Sequence, residues 1–244
     1  MKISLYPRLL GLGMMLCQSC TLLSLDDPTQ PVPTEEVIRL TSPAIVLPAD
    51  GVSSTVITAQ LGEQADDNQR IQLSTDAGKL QEINGTDPSG SEMAIELGAG
   101  GREAKARFVA GLTPTTDGNL VAAVDDFSTT QSVVLTTAYP ENASLQPDAF
   151  QVDVTVSGTT NLKVSAFRSL GTPSDGLRVR IAALPQDGSV SAQAKFDEFL
   201  ELSNGEAQTQ ISPIGSGTGT LVFSAAIPIG VGDSLRKTVA INFQ

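Results

Sequence analysis

"SPAIVLPADGVSSTVITAQL", residues 42–61, sets a turn-forming Ala49-Asp50-Gly51 ahead of an alternating run. In that run Ile57, Ala59 and Leu61 fall on one face, with Thr58 and Gln60 opposite. A period of two is the mark of a strand with one face buried and one face wet. Asp50-Gly51 suits a turn that needs positive φ at the glycine.

The same alternation recurs along the chain. Ala104, Ala106 and Phe108 alternate with Lys105 and Arg107 in "AKARF", and "LVAAV" carries Leu120, Ala122 and Val124. Further on, "QVDVTV" gives Val152, Val154 and Val156, and "LRVRI" gives Leu177, Val179 and Ile181. Leu221 and Phe223 in "LVF", then Val239, Ile241 and Phe243 in "VAINF", complete the series. Short runs of this kind, separated by Gly, Pro, Asp and Ser, predict antiparallel sandwiches and an all-β fold. "AKFDEFLEL" is ambiguous: Phe196, Phe199 and Leu200 fit helical spacing, whereas Leu200 and Leu202 fit a strand.

Polar and proline residues interrupt the alternation in "TTAYPENASLQPD", residues 136–148. The regions on either side have about 100 residues each, the usual size of an immunoglobulin-like sandwich. The expected organisation is therefore residues 37–138 for one sandwich and 139–244 for a second. Gly78, in "STDAGKL", is expected to relieve the chain at a strand end.

Composition excludes several function classes. The 244-residue chain has no histidine and no tryptophan, so neither a Ser-His-Asp nor a Cys-His arrangement can form. A zinc site with imidazole ligands is excluded on the same ground. Fifteen basic against 27 acidic residues give a net charge of −12, which repels nucleic acid and anionic membrane surfaces. Hydrophobic residues make up 40%, enough for real cores, so wholesale disorder is not expected.

The N-terminus reads as an address. Lys2 and Arg8 precede Leu9 to Leu16, an uncharged and largely apolar run too short to span a bilayer as a helix. Such a pattern is that of a secretory signal over residues 1–19. Ser19 ahead of Cys20 resembles a bacterial lipobox, in which cleavage precedes a cysteine that receives lipid. Cys17 stands where that pattern usually has leucine. Cys17 and Cys20 also form C-x-x-C, but no strand-then-helix context supports a redox pair, and no further Cys or His could complete a metal site. Cleavage before Cys20 removes Lys2 and Arg8 and takes the net charge to about −14.

Residues 20–36 then read as a lipidated N-terminus and a proline-rich spacer, "TLLSLDDPTQPVPTEE". Acidic residues soon after a lipidated cysteine resemble surface-export signals of some bacteria. A plain cleaved signal is the alternative.

"SPAIVLPADGVSSTVITAQL" followed by "RIQLSTDAGKL" resembles the bacterial immunoglobulin-like domains of the invasin and intimin kind. "GREAKARFVAGLTPTTDGNLVAAV" fits the later strands of that family. In the second half "SNGEAQTQISP" and "GTGTLVFSAAI" resemble those strands too, though no Ala-Asp-Gly turn follows its first strand. The resemblance implies rigid spacers and display surfaces without catalysis, often in adhesins.

Candidate chemistry is sparse. Ser234 and Lys237 have the S-x-x-K spacing of serine–lysine acyl enzymes, but they precede the strand-like "TVAINF", where residues three apart point to opposite faces. "GSGTGT" (215–220) and "GAGG" (98–101) lead into alternating segments, so they read as turns and not as phosphate loops. Asp66-Asp67, Asp125-Asp126 and, near the domain junction, Glu141 with Asp148 offer carboxylates for calcium, without the fixed spacing of a calcium loop. Asn84-Gly85-Thr86 and Asn142-Ala143-Ser144 match the glycosylation sequon, which carries little weight in a bacterial chain. Apart from lipid on Cys20, no cofactor is expected.

The expected function is that of a non-enzymatic lipoprotein of the bacterial outer membrane or cell surface. It would serve adhesion or act as a structural accessory, with an envelope or host protein as partner. A glycan-binding surface module is the alternative. For that role Tyr139, the only tyrosine beyond the signal, is the candidate stacking platform.

Overall fold

The structure is a computed structural model that describes residues 33–66, 69–83, 90–187 and 191–244. The expected signal, Cys20 and nearly all of the spacer lie outside the described residues, as do Asp67 and the sequon at Asn84. No helix among the described residues is long and apolar enough to cross a membrane. Residues 34–244 form one compact unit.

The chain from Val37 onward folds as two β-sandwiches. In the first, β1 (Ile38–Leu40), β3 (Ser54–Leu61), β7 (Glu103–Ala110) and β5 (Gly78–Glu82) form one sheet, in that order. The facing sheet runs β2 (Ile45–Pro48), β9 (Phe127–Thr136), β8 (Thr115–Val124), β4 (Arg70–Thr75) and β6 (Glu92–Glu96). All pairings are antiparallel except β2 with β9, where Ile45 to Pro48 run parallel to Val133 to Thr136. The alternating residues of the sequence supply the core. Ile57, Ala59, Ala104, Ala106 and Phe108 from one sheet meet Ile71, Leu73, Leu120, Ala122, Val133 and Leu135 from the other. Small alanines opposite larger side chains let the two sheets interdigitate.

The second sandwich repeats this plan strand for strand. One sheet is β10 (Asn142–Pro147), β12 (Thr160–Phe167), β16 (Glu206–Pro213) and β14 (Ala194–Lys195). The other is β11 (Gln151–Val152), β18 (Ser234–Phe243), β17 (Gly219–Pro228), β13 (Arg178–Pro185) and β15 (Phe199–Glu201). Strands β10 to β18 thus take the places of β1 to β9 in order, including the parallel pair, here β11 with β18. Its core holds Leu162, Val164, Ile181, Phe223, Ile241 and Phe243.

Three sequence expectations are refined. The run Val152-Val154-Val156 does not continue as one strand. Asp153 Oδ1 accepts hydrogen bonds from the Thr155 N–H and hydroxyl, at 2.8 and 2.7 Å, which turns the chain and leaves Val156 in solvent. "AKFDEFLEL" is neither a helix nor one strand. It crosses from one sheet to the other, as β14 beside β16 and then β15 beside β13. Asp197 marks the crossing: its N–H donates to Thr209 Oγ1 at 3.0 Å, and its carboxylate accepts from that hydroxyl at 3.1 Å. Phe196 packs edge-on against Phe223 there, with ring centroids 5.4 Å apart. Gly78 stands at a strand end, as the first residue of β5, and what it relieves there is crowding by the neighbouring strand. A Cβ at this position would lie 2.2 Å from the Val109 carbonyl, so close approach of β7 requires the glycine.

Candidate interaction site at the junction of the sandwiches

The Ala49-Asp50-Gly51 turn closes β2 onto β3 at one end of the first sandwich. Gly51 takes the left-handed conformation, φ 77°. Asp50 holds the turn: Oδ1 accepts from the N–H groups of Val52 (3.0 Å) and Ser53 (2.7 Å), and Oδ2 accepts from the Ser53 hydroxyl (2.7 Å). Burial pushes this carboxyl up, but the Ser53 and Val52 donors and the nearby Arg168 guanidinium outweigh it. The group is held below the ordinary Asp value.

The loop between β12 and β13 caps this turn. Thr172 N–H donates to the Asp50 carbonyl at 2.9 Å, and Asp175 N–H donates to the Leu112 carbonyl at 2.9 Å. Ser174, fully buried, is the hub. Its hydroxyl donates to the Ala49 carbonyl (2.8 Å) and accepts from the Ala138 N–H (2.8 Å), while its own N–H donates to the Ala138 carbonyl (2.9 Å). Arg168 Nη1 donates to the Tyr139 carbonyl at 2.7 Å and so ties the connecting segment to the same loop. Asp50 is only 1% exposed as a result. A buried carbonyl or N–H without a partner costs about 1–3 kcal/mol, so this network fixes the join of the two sandwiches.

An open cleft of about 800 Å³ lies beside the join, with Asp76, Lys79, Leu112, Asp117 and Asp175 among its lining. Asp76 is engaged there. Its carboxylate accepts from the Asn119 N–H (2.6 Å) and side-chain amide (3.0 Å), which hold it below the usual carboxylate range. The resolved shifts at Asp50, Asp76 and Asp153 all favour the ionised form, each through local backbone or hydroxyl donors. Asp50 and Asp153 hold turns and Asp76 ties the end of β4 to Asn119 on β8; none is tuned towards the neutral range where a general acid or base works.

The other predicted residues disperse. Tyr139 is only partly exposed and packs against the second core. Glu141 and Asp148 flank β10, whose six residues set them about 20 Å apart. Each has its own partner: Glu141 accepts from the Ser169 N–H and hydroxyl, and Asp148 from the Asn161 amide. No shared cation site forms from this pair. Asp66 is exposed in the loop after β3. Asp125-Asp126 is the turn between β8 and β9, with Asp125 at φ 49°. Asn142 begins β10, and its side-chain oxygen accepts from the Ala143 N–H. Ser234 and Lys237 both lie on β18, three residues apart, and both glycine runs connect strands. Among the described residues no three His, Cys, Asp or Glu side chains converge as a metal site.

Sequence reasoning missed Ser174 and its loop. "GTPSDG", residues 171–176, announces a turn, but nothing in a turn-rich stretch separates a buried serine from a solvated one.

No known protein family matches the sequence, and no curated protein matches it. Solved structures do. The adhesin InvE of Yersinia pseudotuberculosis aligns with a TM-score of 0.52 at 15% identity, over 87% of this chain and 60% of InvE. Invasin, described as a bacterial integrin-binding protein, aligns with a TM-score of 0.51 at 11% identity, over 85% of this chain and 38% of invasin. The chain therefore spans less than two thirds of either structure. The likeness is one of fold: the chain shares the immunoglobulin-like β-sandwich with these structures.

Proposed function

We propose that this chain is a non-enzymatic lipoprotein of the bacterial cell surface, tethered through Cys20, that presents two coupled immunoglobulin-like sandwiches for adhesion. The observation that carries this reading is the junction. A buried serine and a buried aspartate turn join the sandwiches end to end, as a display rod requires. The fold shared with an adhesin and with an integrin-binding protein supports it. So do carboxylates engaged in structural hydrogen bonds, Asp50 within its turn and Asp76 between strands. The membrane is reached through lipid, the partner is a host or envelope protein, and no cofactor beyond the lipid is required.

Two measurements test this. Mass spectrometry of the mature N-terminus should find an acylated cysteine at position 20, and Cys20→Ala should release the chain from membranes. An unmodified, freely soluble wild-type chain would sink the tether. Cells making the protein should attach to host-cell layers better than cells lacking it. Equal attachment would remove adhesion and leave the structural-accessory role.

A further inference from the structure

Tyr139 packs into the second core, but another aromatic ring of that sandwich stands free. Phe167, the last residue of β12, is 51% exposed on the outer face of the sheet that holds β10, β12 and β16. Burial alternates strictly along β12, so its outward residues are Asn161, Lys163, Ser165 and Phe167. On one side of them Asn142 lies opposite Phe167, Ser144 opposite Ser165 and Gln146 opposite Lys163. On the other side Glu206 lies opposite Ser165, Gln208 opposite Lys163 and Gln210 opposite Asn161.

This face is neutral on a chain of net charge −12. Across β10, β12 and β16 the only charged residues are Lys163 and Glu206, and they pair with each other at 2.7 Å. The acids at its borders are engaged too, Asp148 by the Asn161 amide and Glu141 by Ser169. Among the described residues the side chains of Gln146, Gln208, Ser144 and Ser165 make no hydrogen bond. They leave a set of uncharged donors and acceptors facing outward beside the ring.

A hollow of about 200 Å³ adjoins Phe167, walled also by Ser165, Thr172, Pro173, Asn204 and Glu206. Arg168 lines it as well, but its guanidinium is taken up by the carbonyls of Tyr139 and Leu170. Asn204 donates its backbone N–H to Asp175 Oδ1, while its side-chain amide has no partner among the described residues.

Chemistry narrows the occupant. The ring offers its π-face to C–H groups, and the amides and hydroxyls offer donors and acceptors together. No unpaired charge waits for an ion, and one aromatic anchor is too little for a protein hot spot. Uncharged sugars combine a C–H face with a rim of hydroxyls that both donate and accept. Phe167 and Lys163 are about 13 Å apart along β12, so the face has length for several linked sugars.

We propose that the outer face of β10, β12 and β16 binds an uncharged oligosaccharide, with one ring in the hollow against Phe167 and the next along Ser165, Gln208 and Gln146. The site adds a saccharide ligand to the protein-directed adhesion proposed above and does not rest on it.

The purified full chain is tested on an array of uncharged glucose, galactose, mannose and N-acetylglucosamine oligosaccharides, with heparin as the charged control. The expected result is retention of at least one uncharged oligosaccharide, insensitive to added salt, without retention of heparin. Phe167→Ala should weaken that binding about tenfold and Gln208→Ala about threefold. Both side chains are exposed, so thermal melting should stay unchanged. Phe150→Ala removes a ring that is 62% exposed outside this face, and it should leave binding as it was. In saturation-transfer NMR the C–H protons of one sugar ring should take up most of the signal, and Phe167→Ala should abolish it. Failure of every uncharged oligosaccharide to bind, retention of heparin in their place, or binding indifferent to Phe167→Ala would overturn the proposal. The purified chain needs neither lipid nor host cell here, so failure of this site is distinguishable from failure of the adhesion reading.

Discussion

The Ser174 hydroxyl donates to the Ala49 carbonyl at 2.8 Å, joining two sandwiches through residues 125 positions apart in the chain. The same oxygen accepts from Ala138 N–H, so one side chain satisfies a donor and an acceptor that would otherwise be buried alone. Ser174→Ala orphans both. The expected loss is about 1–3 kcal/mol, concentrated at the join and not in either core. Differential scanning calorimetry should show the coupled unfolding of the pair separate into two transitions, and an unchanged single transition would refute the hub role.

Gly171 and Gly176 make a controlled pair. Both are left-handed, at φ 71° and 78°, so alanine strains the backbone at either site by about 1 kcal/mol. Only at Gly171 would the new Cβ meet the other sandwich, 2.5 Å from the Asp50 carbonyl, whereas at Gly176 nothing lies within 4 Å. Gly171→Ala should therefore lower the melting temperature clearly more than Gly176→Ala. Equal effects would mean that the join yields freely.

Acid should act on the join through Asp50. Its folded-state pKa lies below its unfolded value. Its contribution is therefore fully present above the ordinary Asp pKa and is lost as pH falls through the lower, folded value. That window lies below about pH 4. Asp50→Asn should weaken the fall in stability across this range when acid unfolding is followed by circular dichroism. Acid profiles of wild type and variant that superimpose after offset would disprove it.

Phe108 and Phe223 are fully buried, one in each core. Truncating either to alanine should cost about 3–5 kcal/mol. Urea melts with a reporter in each sandwich should shift together, because the join couples the two in unfolding; a shift confined to the mutated sandwich would refute that coupling.

The alternation in "TVITAQL", "AKARF" and "LVAAV" was enough to read the sheets, because burial of one face imposes a period of two whatever the partner strand. The sequence was silent where a side chain overrides that period. Asp153 captures Thr155 and ends a strand that valines alone would continue. Asp197 and Thr209 split "AKFDEFLEL" at a crossing between sheets, which explains why neither period fitted it. The Asp50 turn was visible from its Asp-Gly pair, but its burial depends on a loop more than a hundred residues later. Carboxylates near one another in sequence, Glu141 and Asp148, are held apart by the strand between them.

The parallel pairing of β2 with β9 has a mechanical meaning. Tension entering the first sandwich near β2 and leaving through β9 pulls the two strands past one another along their length. The hydrogen bonds of the four residue pairs from Ile45–Val133 to Pro48–Thr136 then bear the load together instead of parting one by one. The matching pair in the second sandwich, Gln151–Asn242 and Val152–Phe243, has only two rungs to share it. Under single-molecule stretching the second sandwich should yield at lower force than the first, making it the more extensible of the two.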